Sequence, residues 1–217
     1  MMSDENIGTG NEPEAEIDQE KAARHAEKMA KKKAARNKIM ATKTETGGLL
    51  IVHTGKGKGK STAAFGMVCR ALGHGMNVGV VQFVKGKWET GERKVLEAFA
   101  DQISIRTMGE GFTWDTQDLN RDIAAARAAW EQAKELMADP EIDMVLMDEL
   151  NIVLRYDYLP LEEVVETLKN KRPDLHVIVT GRNAKEELIE AAHLVTEMTQ
   201  IKHPFRQGFK AQAGIEF

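Results

Sequence analysis

The chain has 217 residues, 42% of them hydrophobic, enough to fill the core of one domain with an appendage. Its 30 Lys and Arg against 34 Asp and Glu give a formal net charge of −4, which argues against a general nucleic-acid binder, normally basic. A single cysteine, Cys69, excludes a disulfide framework and a Cys-rich zinc site and fits a reducing cytosol, while no apolar run approaches the ~20 residues of a membrane span and the acidic N-terminus lacks a secretory core.

In chain order, Asp4 to Glu20 carries acids and no bases, so residues 1–20 read as a disordered acidic tail. From Lys21 to Lys38, Lys, Arg and Ala dominate. That composition favours helix, and residues 21–46 are expected to form a basic helical arm. The arm lacks a continuous apolar stripe. It is either a solvated tail or a segment that orders over an anionic ligand or a partner subunit. Gly47 and Gly48 mark the start of the globular domain, residues 47–217.

"LLIVH" (49–53) predicts a short strand, followed by a Gly/Lys loop. "STAAFGMVCRALGHG" has helical spacing and closes at Gly73 or Gly75. "NVGVVQFV" (77–84) and the weaker "QISIRTM" (102–108) predict two more strands. Residues 119–138 form an Ala-rich helix before Pro140. "DMVLMDEL" (143–150) predicts a buried strand ending in acids, and "PLEEVVETLKNK" (160–171) a helix with Pro160 at its first position. "LHVIVTGR" (175–182) is a strand, "AKEELIEAA" a helix, and "LVTEMTQI" (194–201) a last strand. This alternation predicts an α/β fold, a mostly parallel sheet covered by helices on both faces. Such sheets bind ligands at the carboxyl ends of their strands. The Gly/Lys loop, the acids after "DMVLM" and the Gly-Arg after "LHVIVT" should therefore share one rim.

The loop "HTGKGKGKST" departs from the usual phosphate pattern G-x-x-x-x-G-K-[ST]. Gly55 and Gly59 have three residues between them, and a four-residue frame would start at Thr54. It is a chance run, an ordinary loop with a substitution, or a loop shortened for different chemistry. The flanking strand and helix favour anion binding, because backbone N–H groups of Thr54, Gly55, Lys56, Gly57, Lys58 and Gly59 line a turn at a helix N-terminus. Lys60 can place a charge on a phosphate, and the hydroxyl of Ser61 or Thr62 can ligate Mg²⁺. Asp148 and Glu149 end an apolar strand, where a Mg²⁺-supporting acid belongs; alternatively they cap the next helix. Which acid would ligate directly is open. Lys85 and Arg182 are strand-end cations facing an anion, or simply solvated. Phe112 and Trp114 in "MGEGFTWDTQD" (108–118) either plug a core edge or wall a large flat ligand. These residues imply a Mg-nucleotide site and leave kinase, ATPase and transferase chemistry open.

The ordered series "TGKGKGKSTAAFG", "GHGMNVGVVQFVKGKWETGER", "GFTWDTQD", "DMVLMDELN", "YDYLPLEEV", "VIVTGR" and "IKHPFRQGFKAQAGIEF" resembles the P-loop ATP:corrinoid adenosyltransferases. The likeness runs from about Gly47 to the C-terminus, and the charged helix has a counterpart. The shortened loop belongs to the family pattern, with Lys56 and Ser61 where Asn and Thr are common. The resemblance implies a P-loop nucleotide-binding fold and two substrates: ATP, and cobalamin or cobyrinic acid a,c-diamide, in adenosylcobalamin biosynthesis or salvage. It implies that Co(I) attacks the ribose C5′, triphosphate leaves, and the loop holds that triphosphate reversed relative to ordinary P-loop enzymes. Loop amides, Lys60 and Mg²⁺ would stabilise the leaving group. Phe112 and Trp114 would displace the lower axial ligand of cobalt. The resemblance further implies a reduced flavoprotein or other reductant and a cytoplasmic homodimer in which residues 21–43 cover the partner's site. No general base is needed, so no His is nominated. A P-loop kinase or ATPase and a non-enzymatic corrinoid carrier are the competing readings.

Overall fold

The structure is a computed structural model; residues 19–84, 91–107 and 118–216 are described. The chain divides into two compact units, residues 1–46 and 47–217. In the first, α1 (Gln19–Met40) buries no residue. Its helix-forming composition is supplemented by the Glu20–Arg24 and Glu27–Lys31 pairs at 2.5 and 2.7 Å, worth ~0.2–0.5 kcal/mol each.

The second unit alternates strands β1 (Leu50–Thr54), β2 (Val78–Gln82), β3 (Ile103–Thr107), β4 (Met144–Asp148), β5 (His176–Thr180) and β6 (Leu194–Glu197) with helices. These are α2 (Lys60–Gly73), α3 (Gly91–Leu96), α4 (Leu119–Ala138), α5 (Leu150–Arg155), α6 (Leu161–Lys169) and α7 (Glu186–Ala191). Strand order is β3-β2-β4-β5-β1-β6, with every neighbouring pair parallel. The expected α/β architecture is therefore present, and all six described strands end at the same rim.

Side-chain alternation along the strands makes two apolar layers. Leu50, Val52, Val81, Val145, Met147, Val177 and Val179 face α4 to α7, where Trp130, Leu136, Leu154, Leu168 and Leu188 meet them. Ile51, Val78, Val80, Met144, Leu146 and Ile178 face α2 and α3, where Phe65, Val68, Leu72 and Leu96 meet them. Each large side chain so buried contributes ~1.5–3 kcal/mol. Gly79 keeps β2 close to α4: a Cβ there would lie 2.9 Å from Leu136 Cδ1.

Several details differ from the sequence expectation: the last strand, expected over 194–201, ends at Glu197, and three others concern the helices and their starts. The strand in "DMVLMDEL" stops at Asp148, because Glu149 turns left-handed (φ 64) and α5 starts at Leu150. The acids Asp148 and Glu149 mark where the strand ends, and Leu150 after them already belongs to the helix. Pro160 is the N-cap of α6, not its first helical residue, with ψ at 114. Helices α3 and α5 were not expected; each has only six residues, too few to show a helical period. The expected stop after α2 is a Schellman turn: Gly75 (φ 77) donates to the Leu72 carbonyl at 2.9 Å and Met76 to the Ala71 carbonyl at 3.1 Å. Among the described residues no helix is long and apolar enough to cross a membrane.

Candidate nucleotide site

The connection from β1 to α2 turns at Gly55 (φ 98) and Gly59 (φ 107), values that a residue with a Cβ rarely adopts. The loop leans on the segment after β6. A Cβ on Gly55 would sit 2.5 Å from the Met198 carbonyl oxygen, and one on Gly57 2.8 Å from it. Gly57 N–H donates to that same oxygen at 2.7 Å, and Met198 N–H donates to the Thr54 carbonyl at 2.9 Å. The Thr54 hydroxyl accepts Ala184 N–H at 3.0 Å, so it holds the turn after β5. Lys56, Lys58 and Thr62 are exposed, and the Lys58 ammonium pairs with the Glu216 carboxylate.

Lys60 opens α2 but is 7% exposed, and its ammonium donates to the Gly57 carbonyl at 2.6 Å. Burial lowers its pKa, Glu149 and Asp148 oppose that, and Arg182 and Lys58 add to it. Half-buried Ser61, one residue on, lies close enough to the Asp148 carboxyl to favour its charged form. Asp148 is itself buried, and its Oδ1 accepts the Thr180 hydroxyl at 2.7 Å. Burial pushes the Asp148 pKa up, while hydrogen bonds from Thr180, Ser61 and Gln82 pull it down. The Glu149 carboxyl is pushed up to about 7 by burial and by the neighbouring Asp148 charge, against the pull of Lys60 and Arg182. Its Oε2 is buried with no hydrogen-bond partner.

Lys60, Ser61, Asp148, Glu149 and Arg182 thus come together at the rim, from the ends of β1, β4 and β5. Lys85, Phe112 and Trp114 lie outside the described residues. Sequence reasoning passed over the polar groups that support the acids. Gln82 accepts the Thr107 hydroxyl at 3.0 Å, and Thr107 in turn accepts from Arg93 at 3.2 Å. Thr180 and Asn151 bond the β4 and β5 ends to each other. The available signal was a polar residue closing an otherwise apolar strand, as Gln82 and Thr180 do. The histidines do structural work. His193 and His176 accept the N–H groups of Leu50 and Leu49 at 2.9 and 3.2 Å, and the His53 ring lies 3.2 Å from the Lys60 carbonyl oxygen.

The donor set suits Mg²⁺. A carboxylate and a hydroxyl are hard oxygen ligands, and Mg²⁺ keeps several waters and shares itself with phosphates. The orphaned Glu149 Oε2 beside them has capacity to spare. Among the described residues no group of three or more His, Cys, Asp or Glu is placed to cage a metal. Chemically the arrangement can bind a polyphosphate, neutralise it and orient what is attached to it.

Residues 46–217 match the family described as ATP:corrinoid adenosyltransferase BtuR/CobO/CobP. Residues 11–40 match the family described as cob(I)alamin adenosyltransferase N terminal. A corrinoid adenosyltransferase of Sinorhizobium sp is 62% identical over 218 residues, covering 100% of both chains. One from Pseudomonas aeruginosa is 52% identical, covering 91% of this chain and 98% of its own. The corrinoid adenosyltransferase CobA of Salmonella typhimurium is 45% identical, covering 89% of this chain and 98% of its own.

Proposed function

The chain belongs to the ATP:corrinoid adenosyltransferase family, and from that premise we propose how its site works. The enzyme adenosylates corrinoids with ATP. The observation that carries the reading is the anion-binding turn of β1 and α2 set across the rim from Asp148 and Glu149, in a chain of this family. The cobalt of the reduced corrinoid, as Co(I), donates its electron pair to the ribose C5′ of ATP. A cobalt–carbon bond forms, the C5′–O bond breaks, and that bond's electrons leave with triphosphate.

Lys60 and the loop amides hold the triphosphate, turned so that C5′ is bare. Thr54, Gly55, Lys56, Gly57, Lys58, Gly59 and Thr62 shape the cradle, and Arg182 and Lys85 add charge at its margin. Ser61 and Asp148 would hold a Mg²⁺ ion, with Glu149 beside them; the nearness of Ser61 to the Asp148 carboxyl supports this pairing. When bound, that ion supplies positive charge to the departing oxygens. These residues act by orientation and electrostatics, and no general base is needed. Phe112 and Trp114 displace the lower axial ligand of the corrinoid and keep water from the cobalt. A reduced flavoprotein or another reductant delivers the electron. The enzyme works as a cytoplasmic homodimer of chains composed of an acidic tail (1–20), a basic arm (21–46) and the P-loop domain (47–217).

Incubation with ATP, Mg²⁺ and chemically reduced cobalamin is expected to give a light-sensitive adenosylated spectrum and inorganic triphosphate. ADP or AMP as the phosphate product would favour a kinase or ATPase and overturn the reading. In the same assay Phe112→Ala is expected to impair use of Co(II) corrinoid with a reductant far more than use of pre-reduced Co(I). Equal losses in both would remove the ligand-displacement role.

A further inference from the structure

β5 lies between β4, which ends in the acids, and β1, which leads into the nucleotide loop. The register between β4 and β5 runs from Met144↔His176 to Met147↔Val179. Past that pair two side chains take over. Thr180, fully buried, donates its hydroxyl to Asp148 Oδ1 at 2.7 Å and accepts Glu149 N–H at 2.9 Å. A hydroxyl has one proton to give, so these two partners fix its direction. Asn151, equally buried, donates from Nδ2 to the Gly181 carbonyl at 3.0 Å.

Asn151 pays a cost for that bond, because its Oδ1 is buried with no partner. An unmet buried acceptor destabilises a fold; Leu would fill a similar volume without that Oδ1 but would give up the grip on the Gly181 carbonyl. A residue of this kind serves position more than stability. Gly181, whose carbonyl it grips, is left-handed (φ 126) and so close that a Cβ would lie 2.8 Å from Asn151 Cβ and 3.1 Å from Glu149 Oε2. The next residue is Arg182, which reaches Lys60 and Glu149 electrostatically.

We propose that Thr180 and Asn151 form a side-chain staple that continues the β4–β5 pairing past its backbone ladder and aims Asp148, Glu149 and Arg182 at the bound metal–nucleotide. Thr180 orients the carboxylate through Oδ1 and pins the left-handed Glu149 backbone. Asn151 fixes the turn that presents Arg182. Both are positioning residues. The inference deepens the adenosyltransferase reading and rests on it for its kinetic arm, but its binding arm stands apart.

The test uses the full chain with Mn²⁺ in place of Mg²⁺, its binding in the presence of ATP followed by electron paramagnetic resonance. Thr180→Val keeps the shape and removes the hydroxyl. It is expected to weaken Mn²⁺ binding about tenfold, as removal of a group that orients a metal ligand does. Thr180→Ser is expected to restore binding to within about twofold of the parent. Asn151→Leu, which exchanges an unmet Oδ1 for an unmet Gly181 carbonyl, is expected to leave the protein folded with a melting temperature within a few degrees of the parent while raising KM for ATP about tenfold in adenosylation. Parent-like Mn²⁺ binding by Thr180→Val, or Thr180→Ser no better than Thr180→Val, overturns the staple. So does an Asn151→Leu protein with unchanged KM. Should Thr180→Val not fold, Thr180→Ser against Thr180→Cys, a similar size with a weaker donor, decides the same point. A parent protein that binds Mn²⁺ with ATP but adenosylates nothing would count against the enzymatic reading, and the binding arm would still judge the staple.

Discussion

Lys60 is the residue on which charge neutralisation depends. Its ammonium is held at 2.6 Å by the Gly57 carbonyl in a site where burial already disfavours the charge. A phosphate is a stronger partner for that ammonium than a carbonyl. Lys60→Ala is expected to lower kcat/KM for ATP by ~10²–10³, the usual effect of losing one preorganised donor to developing negative charge. Near-parental kinetics would contradict the assignment. Glu149 gives a second expectation, in stability. Its pKa rises from an ordinary 4.5 to about 7 on folding. Between those values the folded protein keeps a proton that the unfolded chain has released. Stability is then full below 4.5 and falls as pH rises through about 7. Asp148, raised by burial, adds the same sign. The melting temperature of the ligand-free protein should drop from about pH 5 to about pH 8, with Glu149 contributing on the order of 2–3 kcal/mol. Glu149→Gln should flatten much of that slope, and an unchanged slope would refute the effect.

At the scale of elements, two glycines give opposite expectations. Gly48 precedes β1, and a Cβ there would lie 1.9 Å from the Leu175 carbonyl oxygen, which is backbone and cannot rotate away. Gly48→Ala should therefore separate β1 from β5 and cost more than about 3 kcal/mol in denaturant unfolding. Gly66 is exposed on α2 with nothing within 4 Å of a Cβ. Gly66→Ala should stabilise by ~0.5–1 kcal/mol, the ordinary gain of Ala over Gly inside a helix. The sequence made the longer elements legible because their apolar period repeats: α4, for example, was expected at 119–138 and is found there. It did not reveal that Leu150, just past the acids, opens a six-residue helix, because the rotation at Glu149 is a backbone feature that no side-chain pattern records. In the site, residues carrying charge were legible: Asp148, Glu149 and Arg182 stand at or just past strand ends, and Lys60 opens the helix after the Gly-rich loop. Thr180, Asn151 and Gln82 were not. Their importance lies in which atoms they face across the sheet, and a linear sequence carries no such register.

For the whole molecule, the division into residues 1–46 and 47–217 separates a helix that buries nothing from a unit with two packed apolar layers. Deleting residues 1–46 is expected to leave the melting temperature of the rest within about 2 °C, because none of the described residues of that segment is buried. A larger drop, by circular dichroism, would show that the arm contributes to the fold. Strand order also sets a timetable. β1 is flanked by β5 and β6, and the turn after it leans on Met198. At ordinary translation speeds the ribosome finishes that turn on the order of 10 s before it makes the residues that brace it. A nascent chain is therefore expected to gain its full grip on ATP only once β6 has cleared the exit tunnel.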